Sequence, residues 1–390
     1  MVLGAEAKAW ARKDKWGVLS PFLRQHGREA LSYATVQEGL EYFIDDELGY
    51  VAFTSVIHPV FARKTKRIVL SDPVCSRENL PKLLDKFLAQ NPQSVFVVIS
   101  EYCAEALRRL GFKVNCVGPE PEIPIQTYNT KGNWKELDMI KRARNEAKRE
   151  GYIIREERIE NVDKEKLAAV SSQWMGNKIL SDREIWIYAR RPVLETEEDV
   201  RKFFAYDKTG NLIGYVFYDP MYRDGKVVGY SANTSRCNES KYGRLATAIH
   251  MEAVDIFKAE RKEILNLCLA PFVRLELGKY NDDFISKLFF VMSEKYGNDI
   301  YNFKGLAFHK SKYRVREKPL YFASNSWSPS NDIYLAYLTS DITQDYFSTV
   351  GRLLLGIVKG IFRRKSEKKQ LIKTDSENKT PTHEYPKDNS

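Results

Sequence analysis

The sequence predicts a mixed α/β (α+β) protein of two globular units, each built on a mixed, largely antiparallel sheet. Three observations support this prediction. The chain has 390 residues, more than a single hydrophobic core usually holds. Hydrophobic residues make up 43% of it, which is the composition of a globular protein. Short strand-like runs alternate with helical periodicities along most of the length, so neither an all-helical nor an all-strand fold is expected.

The first unit is predicted over residues 1–130. Its expected strands lie at 50–53, 67–70 and 95–99, and its expected helices lie at 78–90 and 107–111. The second helix should end at Gly111, because glycine commonly terminates a helix, and a further strand should begin at Phe112.

A basic connecting helix is predicted over residues 131–152. Its apolar side chains recur at helical spacing, at Leu137, Ile140, Ala143 and Ala147. Cations cover much of the remaining surface, at Lys141, Arg142, Arg144, Lys148 and Arg149. Such a helix can bind a nucleic-acid backbone, or it can be an ordinary solvated face that also carries acids.

The second unit is predicted over residues 153–340. A meander of strands at 203–206, 212–218 and 227–231 is followed by a helix at 243–260 and a strand at 264–269. Residues 301–306 are expected to form another strand. Meander, glycine-containing loop, helix and strand in this order are typical of an N-acetyltransferase-like (GNAT) fold. The first unit looks like a degenerate version, so two such domains in tandem are expected.

The C-terminal part is predicted to contain an amphipathic basic helix over 341–365 and a disordered tail over 366–390. The proposed membrane-binding residues are apolar side chains at helical spacing and the cations after them: Leu353, Ile357, Ile361, Phe362, Arg363, Arg364 and Lys365. Apolar burial and attraction to anionic headgroups together favour an interfacial anchor. The alternative is a terminal helix packed on the domain.

Composition and charge indicate the kind of partner and the cellular compartment. The formal charge of +10 favours an acidic partner, either a nucleic acid or an anionic lipid surface. The five cysteines are widely spaced without a C-x-x-C pair, and the N-terminus lacks the apolar run of a signal peptide. We therefore expect reduced thiols and a cytoplasmic protein, peripheral on the inner face of the cell membrane.

A collinear series of motifs resembles the C-terminal catalytic domain of phosphatidylglycerol lysyltransferases. The series consists of Arg142-Ala-Arg144-Asn145, Ser172-Gln-Trp174-Met-Gly176, Tyr206-Asp207-Lys-Thr-Gly210, Asp219-Pro220-Met221-Tyr222, Leu269-Ala270-Pro271, Tyr301-Asn-Phe303-Lys-Gly305-Leu306 and Lys310-Ser-Lys312-Tyr313. The resemblance covers roughly residues 15–365. It implies tandem GNAT domains in a free-standing form without the family's flippase portion.

The resemblance also implies a reaction. The donor would be an aminoacyl-tRNA and the acceptor a hydroxyl of a membrane lipid such as phosphatidylglycerol, with no metal and no cofactor beyond the tRNA co-substrate. Because one ester is exchanged for another, the catalytic demand is positioning of the substrates and stabilisation of the oxyanion.

Family positions supply the candidate site residues. Arg236 matches the arginine of the family's Asp-x-x-Arg motif, Asn233 stands where that motif has its acid, and Lys310 matches a family lysine. The candidates for binding tRNA or lipid phosphate are Arg142, Arg144, Asn145, Lys304 and Lys312. His309 is interpreted as structural.

Two alternatives remain. Lys241 and Gly243 form a candidate phosphate-binding loop before a helix, where acetyltransferases hold coenzyme A, so an acyl-CoA-dependent acyltransferase is the enzymatic rival. The other rival is a catalytically decayed lipid- or tRNA-binding module, because an amide at Asn233 cannot perform the chemistry of a carboxylate.

Overall fold

A computed structural model describes residues 12–129, 137–176, 186, 188–237, 244–296, 303–342 and 351. The first half of the chain comprises, in order, α1 (Arg12–His26), β1 (Glu41–Asp45), β2 (Gly49–His58), β3 (Ala62–Leu70), β4 (Val74–Cys75), α2 (Leu80–Gln90), β5 (Ser94–Ile99), α3 (Glu101–Arg109) and β6 (Lys113–Pro124). Ser100 caps α3, since its hydroxyl accepts a hydrogen bond from the backbone N–H of Cys103.

The second half carries the remaining elements. They are α4 (Asp138–Glu150), β7 (Ile153–Glu156), α5 (Lys164–Gly176), β8 (Arg201–Tyr206), β9 (Leu212–Arg223), β10 (Lys226–Cys237), α6 (Arg244–Ala259), β11 (Ile264–Asn266), α7 (Phe284–Tyr296), α8 (Phe303–Ser311), β12 (Arg316–Ser324) and α9 (Pro329–Thr339). None of the described helices is both long enough and apolar enough to span a bilayer.

The two halves repeat one arrangement of strands. In the first, β1, β2 and β3 form an antiparallel meander and β5 runs parallel to β3. In the second, β8, β9 and β10 form the meander and β11 runs parallel to β10. The mixed α/β fold class and the predicted meander, helix and strand of the second half are therefore confirmed.

A single sheet joins the halves, in the order β1-β2-β3-β5-β12-β6-β11-β10-β9-β8-β7. Its centre is β6, which pairs antiparallel with β12 along most of its length and with β11 at its end. Thus β12, from the part of the chain assigned by sequence to the second unit, lies between β5 and β6 of the first. The domain boundaries themselves stay a prediction.

The prediction of a strand at 301–306 is wrong, because helix α8 begins at Phe303. The aromatic residues in this stretch suggested a strand. However, Leu306, His309 and Lys310 recur at helical spacing and all face one cavity. Helical spacing therefore places these three side chains on one face, which β-alternation would not do.

Candidate functional site

The candidate site is a cavity of about 240 Å³ at the junction of the two halves. Strands β5, β6, β10 and β12 contribute to its wall, together with helices α5 to α9 and the loop after β11. Most of the lining side chains are aliphatic or aromatic, and the polar groups are few. A concave, mainly apolar chamber with a few convergent polar groups is the usual form of a small-molecule site.

Three irregularities in the sheet shape this cavity. Register shifts place Val98 of β5 and Val117 of β6 as extra residues opposite β12. A third shift places Ala232 and Asn233 of β10 opposite a single residue of β9. All four residues line the cavity. Because a bulge redirects side chains and ends regular pairing, these shifts open the sheet where the cavity lies.

Backbone strain accompanies the bulges. Val98 has a φ of 57°, a left-handed conformation that a β-branched residue rarely adopts. Cys268 and Phe272, in the loop after β11, have φ values of 59° and 63°, and all three residues line the cavity. Nearby, a side chain at Gly118 would place its Cβ 2.2 Å from the carbonyl oxygen of Ala270, so this loop approaches β6 closely. Such strain is characteristic of functional sites.

Asn233 lines the cavity and is almost fully buried. Its Nδ2 donates a 3.0 Å hydrogen bond to Oδ2 of Asp219, and its Oδ1 accepts one of 3.3 Å from the backbone N–H of Arg190. The amide is therefore held in one orientation, with a carboxylate directly behind it.

That carboxylate belongs to a buried network of alternating charge. Arg190 donates two hydrogen bonds to Asp219, of 3.0 and 2.6 Å, and a 2.5 Å bond to Glu197. Glu197 also pairs with Lys202 at 3.4 Å. Burial raises the pKa of Asp219, while Arg190 opposes this shift. Two cations and two carboxylates balance, so the network can be buried behind the cavity without net charge.

Arg236 lines the same cavity. It lies at the end of β10 and is only 5% exposed. Its guanidinium carbon is 3.8 Å from the ring centroid of Trp174, and its Nη1 donates to the carbonyl of Ser235. Stacking on an indole orients the guanidinium within the cavity wall.

Lys310 enters from α8 and is also buried. Its ammonium donates hydrogen bonds of 2.8 and 2.6 Å to the carbonyls of Cys268 and Leu269. Burial lowers the pKa of Lys310 to about 8, although Cys268 and Glu120 oppose the shift. The side chain is thus mainly protonated at neutral pH but able to release a proton.

Two buried histidines complete the polar lining. Burial, with a contribution from Lys310, lowers the pKa of His250 to about 3, and its Nδ1 lies 2.9 Å from the hydroxyl of Tyr218. Burial also lowers the pKa of His309 well below its usual range. The ring centroids of the two histidines are 6.2 Å apart. Both imidazoles are therefore neutral at pH 7.

The predicted phosphate-binding residues on α4 do not line this cavity. Arg142 forms a 2.7 Å ion pair with Asp138 on its own helix, and Asn145 is exposed. Arg144 bonds across to α6, at 2.8 Å from Asp255. Lys312 lies beside the site rather than in it, with its ammonium 5.3 Å from the ring centroid of Phe308. Their binding roles stay predictions.

Several predicted residues lie outside the described part of the structure. They are Lys241, Gly243, Leu353, Ile357, Ile361, Phe362, Arg363, Arg364 and Lys365. Lys304 lies in the first turn of α8, but its side chain is not among those that the structure describes. The candidate phosphate loop and the membrane-binding helix remain predictions from sequence.

Sequence reasoning did not single out Asp219, Arg190 or His250 as site residues. Asp219 occurs in a family-like motif, yet its contact with Asn233 depends on the register of β9 and β10. Arg190 comes from a segment without regular periodicity. His250 offered one signal, since it is a polar residue on the otherwise apolar face of α6.

The fold and the site together define a domain whose two halves repeat one strand arrangement and share a largely apolar cavity with a few polar groups. Comparison with known families assigns it further: residues 21–324 match the family model "Phosphatidylglycerol lysyltransferase, C-terminal". The chain belongs to this family, as its motifs predicted.

Two curated relatives are similar in sequence. The phosphatidylglycerol lysyltransferase of Bacillus subtilis is 23% identical over 314 residues, which cover 78% of this chain and 34% of that protein. An uncharacterized protein of Corynebacterium glutamicum is 22% identical over 296 residues, covering 75% and 36%. The chain thus spans about a third of the length of each relative.

Solved structures share the fold. L-PGS from Bacillus licheniformis superposes with a TM-score of 0.66 at 19% identity, over 84% of this chain and 96% of that one. The C-terminal domain of a putative lysylphosphatidylglycerol synthetase from Agrobacterium fabrum gives 0.65 at 16% identity, over 84% and 98%. The similarity extends across both halves.

Proposed function

We propose that this protein is an aminoacyltransferase that moves an amino acid from an aminoacyl-tRNA to a hydroxyl of a membrane lipid such as phosphatidylglycerol. One structural observation supports the proposal in addition to family membership. Asn233 and Arg236 from β10 and Lys310 from α8 all line one largely apolar cavity.

The chamber suits an amphipathic acceptor. Its aliphatic and aromatic wall can hold glycerol carbons and the start of an acyl chain, whereas Arg236 and Lys310 supply positive charge for a phosphate or a developing oxyanion. In the reaction, the lipid hydroxyl oxygen bonds to the aminoacyl carbonyl carbon and the ester to the tRNA ribose breaks. The hydroxyl proton ends on the ribose oxygen, so atoms and charges balance without ATP.

Lys310 is the side chain best suited to protonate the departing ribose oxygen. Its pKa of about 8 is close to neutral pH, which favours proton transfer in either direction. Its two carbonyl partners fix the ammonium beside Cys268. Arg236 would then stabilise the oxyanion, because its stacking on Trp174 orients the guanidinium before the substrate arrives.

Attachment to the inner face of the cell membrane forms part of the proposal. The predicted amphipathic helix at 341–365 would supply apolar area and positive charge for reversible binding. A lipid acceptor would then be delivered by diffusion in the bilayer rather than through water.

The test is transfer by the purified protein. Radiolabelled aminoacyl-tRNAs are incubated with vesicles containing phosphatidylglycerol, and the organic-soluble label is measured. We expect an aminoacyl lipid to form without ATP or acyl-CoA. A product that requires acyl-CoA would identify the acyltransferase rival, and no product with any aminoacyl-tRNA would favour a catalytically decayed binding module.

A further inference from the structure

Helix α7 exposes several large apolar side chains on its outer face. Phe284, Ile285 and Leu288 are 75%, 61% and 49% exposed, although all three are large apolar side chains. At 100° per residue they lie within one third of the helix circumference. The opposite face, which packs on the protein, buries Phe290 together with Ser286 and Ser293. A surface helix of a globular protein normally keeps its large apolar side chains on the inner face, so the three exposed ones are unusual.

The neighbouring helix α8 shares this property. Phe308 is 61% exposed, whereas Leu306 and Lys310 on the same helix line the cavity. Helix α7 reaches the same cavity from its inner face through Phe290. Both helices thus form the cavity wall on one side and expose apolar side chains on the other. The three exposed residues of α7 form the larger of these two apolar groups, and exposed apolar surface of this kind marks an interaction site.

The charges around the exposed face are suited to an anionic surface. Lys287 projects from the exposed part of α7, and Lys312 places its ammonium 5.3 Å from the ring centroid of Phe308. The two acids preceding α7 have cationic partners. Asp282 bonds to Arg108 at 2.8 Å, and Asp283 lies 3.5 Å from Lys113. Apolar side chains next to lysines are the combination that interfacial helices use.

We infer that the outer face of α7, centred on Phe284, Ile285 and Leu288, docks onto an anionic lipid bilayer, with the exposed Phe308 of α8 as a second contact. The inference rests on the proposed function only in taking a membrane lipid as the acceptor. Docking in this orientation would bring the cavity wall against the bilayer, so an acceptor headgroup could enter without its acyl chains crossing water. Lysines at the edge of the apolar face, in a chain of formal charge +10, favour a membrane over a neutral protein partner.

The experiment compares vesicle binding by the full chain and by a Phe284→Gln/Leu288→Gln variant. Both positions are exposed and glutamine is a good helix former, so the fold should persist. Cosedimentation with mixed phosphatidylcholine–phosphatidylglycerol vesicles should fall at least about tenfold, because the apolar area that enters the interface is lost. The matched control is Ile57→Gln/Val60→Gln, at apolar positions 67% and 70% exposed elsewhere, which should bind like the unaltered chain.

Equal binding by the Phe284→Gln/Leu288→Gln variant and the unaltered chain would overturn the inference. So would a lowered melting midpoint with new protease cleavage within 343–390, which would show that the C-terminal segment covers this face. A change from dimer to monomer would show that a second copy covers it. Because vesicle binding is measured without aminoacyl-tRNA, it tests the docking surface whether or not the proposed transfer reaction takes place.

Discussion

At the scale of single residues, the departure of this chain from its family motif has a structural context. The resemblance places Asn233 where the family has an acid, but its amide donates to Asp219, whose charge is matched by Arg190. A carboxylate is therefore present 3.0 Å behind the amide. Because its charge is already neutralised, Asp219 adds no net negative charge to bind an aminoacyl ammonium.

This contact predicts the outcome of restoring the family acid. Asn233→Asp would replace the donated hydrogen bond by two carboxylates at about the same separation, where both cannot be ionised at low cost. We expect a loss of about 2 kcal/mol in the free energy of unfolding, measured by urea titration. The double variant Asn233→Asp/Asp219→Asn restores one donor and one acceptor and should recover part of that loss. A single variant as stable as the unaltered chain would place the two side chains apart.

At the scale of elements, local patterns predicted the second half well. Alternation and turn residues indicated β8, β9 and β10, and helical spacing indicated α6. The position of β12 could not be predicted in this way. Its pairing with β5 and β6 joins residues about two hundred positions apart, and nothing in its own sequence specifies that register. The prediction of a strand at 301–306 was wrong, because this short aromatic segment has no clear helical or alternating pattern of its own, whereas in the structure α8 begins at Phe303.

The candidate site was predictable only in part. Arg236, Asn233 and Lys310 were found through family-like positions, and all three line the cavity. The bulges at Val98 and Val117 depend on pairing between distant strands, so periodicity within one strand could not reveal them.

The central place of β12 gives a prediction for truncated chains. A protein ending at residue 315 lacks β12 and leaves the edges of β5 and β6 unpaired, with buried residues such as Tyr321 and Phe322 removed from the core. We expect it to lose cooperative melting in near-ultraviolet circular dichroism and to aggregate. The control is a chain ending at residue 342, which keeps β12 and α9 and should melt cooperatively. Cooperative melting of the shorter chain would contradict the assigned role of β12.

At the scale of the whole molecule, one sheet runs through both halves and its irregular centre creates the cavity. The chemistry of that cavity depends on both halves, since β5, β6 and β12 supply apolar wall while β10 and α8 supply the polar groups. Helices α7 and α8 connect this interior with an exposed apolar surface. We propose that aminoacyl transfer takes place in the cavity at the junction of the two halves.

The most direct test is the transfer rate of Arg236→Met beside that of Arg223→Met. Methionine keeps an apolar stem over Trp174, so folding should be preserved while the charge in the cavity is lost. Arg223 also lies at the end of a strand, but it pairs with Glu263 away from the cavity. We predict that Arg236→Met lowers single-turnover transfer from aminoacyl-tRNA to phosphatidylglycerol at least about 100-fold, and that Arg223→Met changes it less than about twofold. Equal transfer rates for the two variants would contradict the assignment of the cavity as the catalytic site.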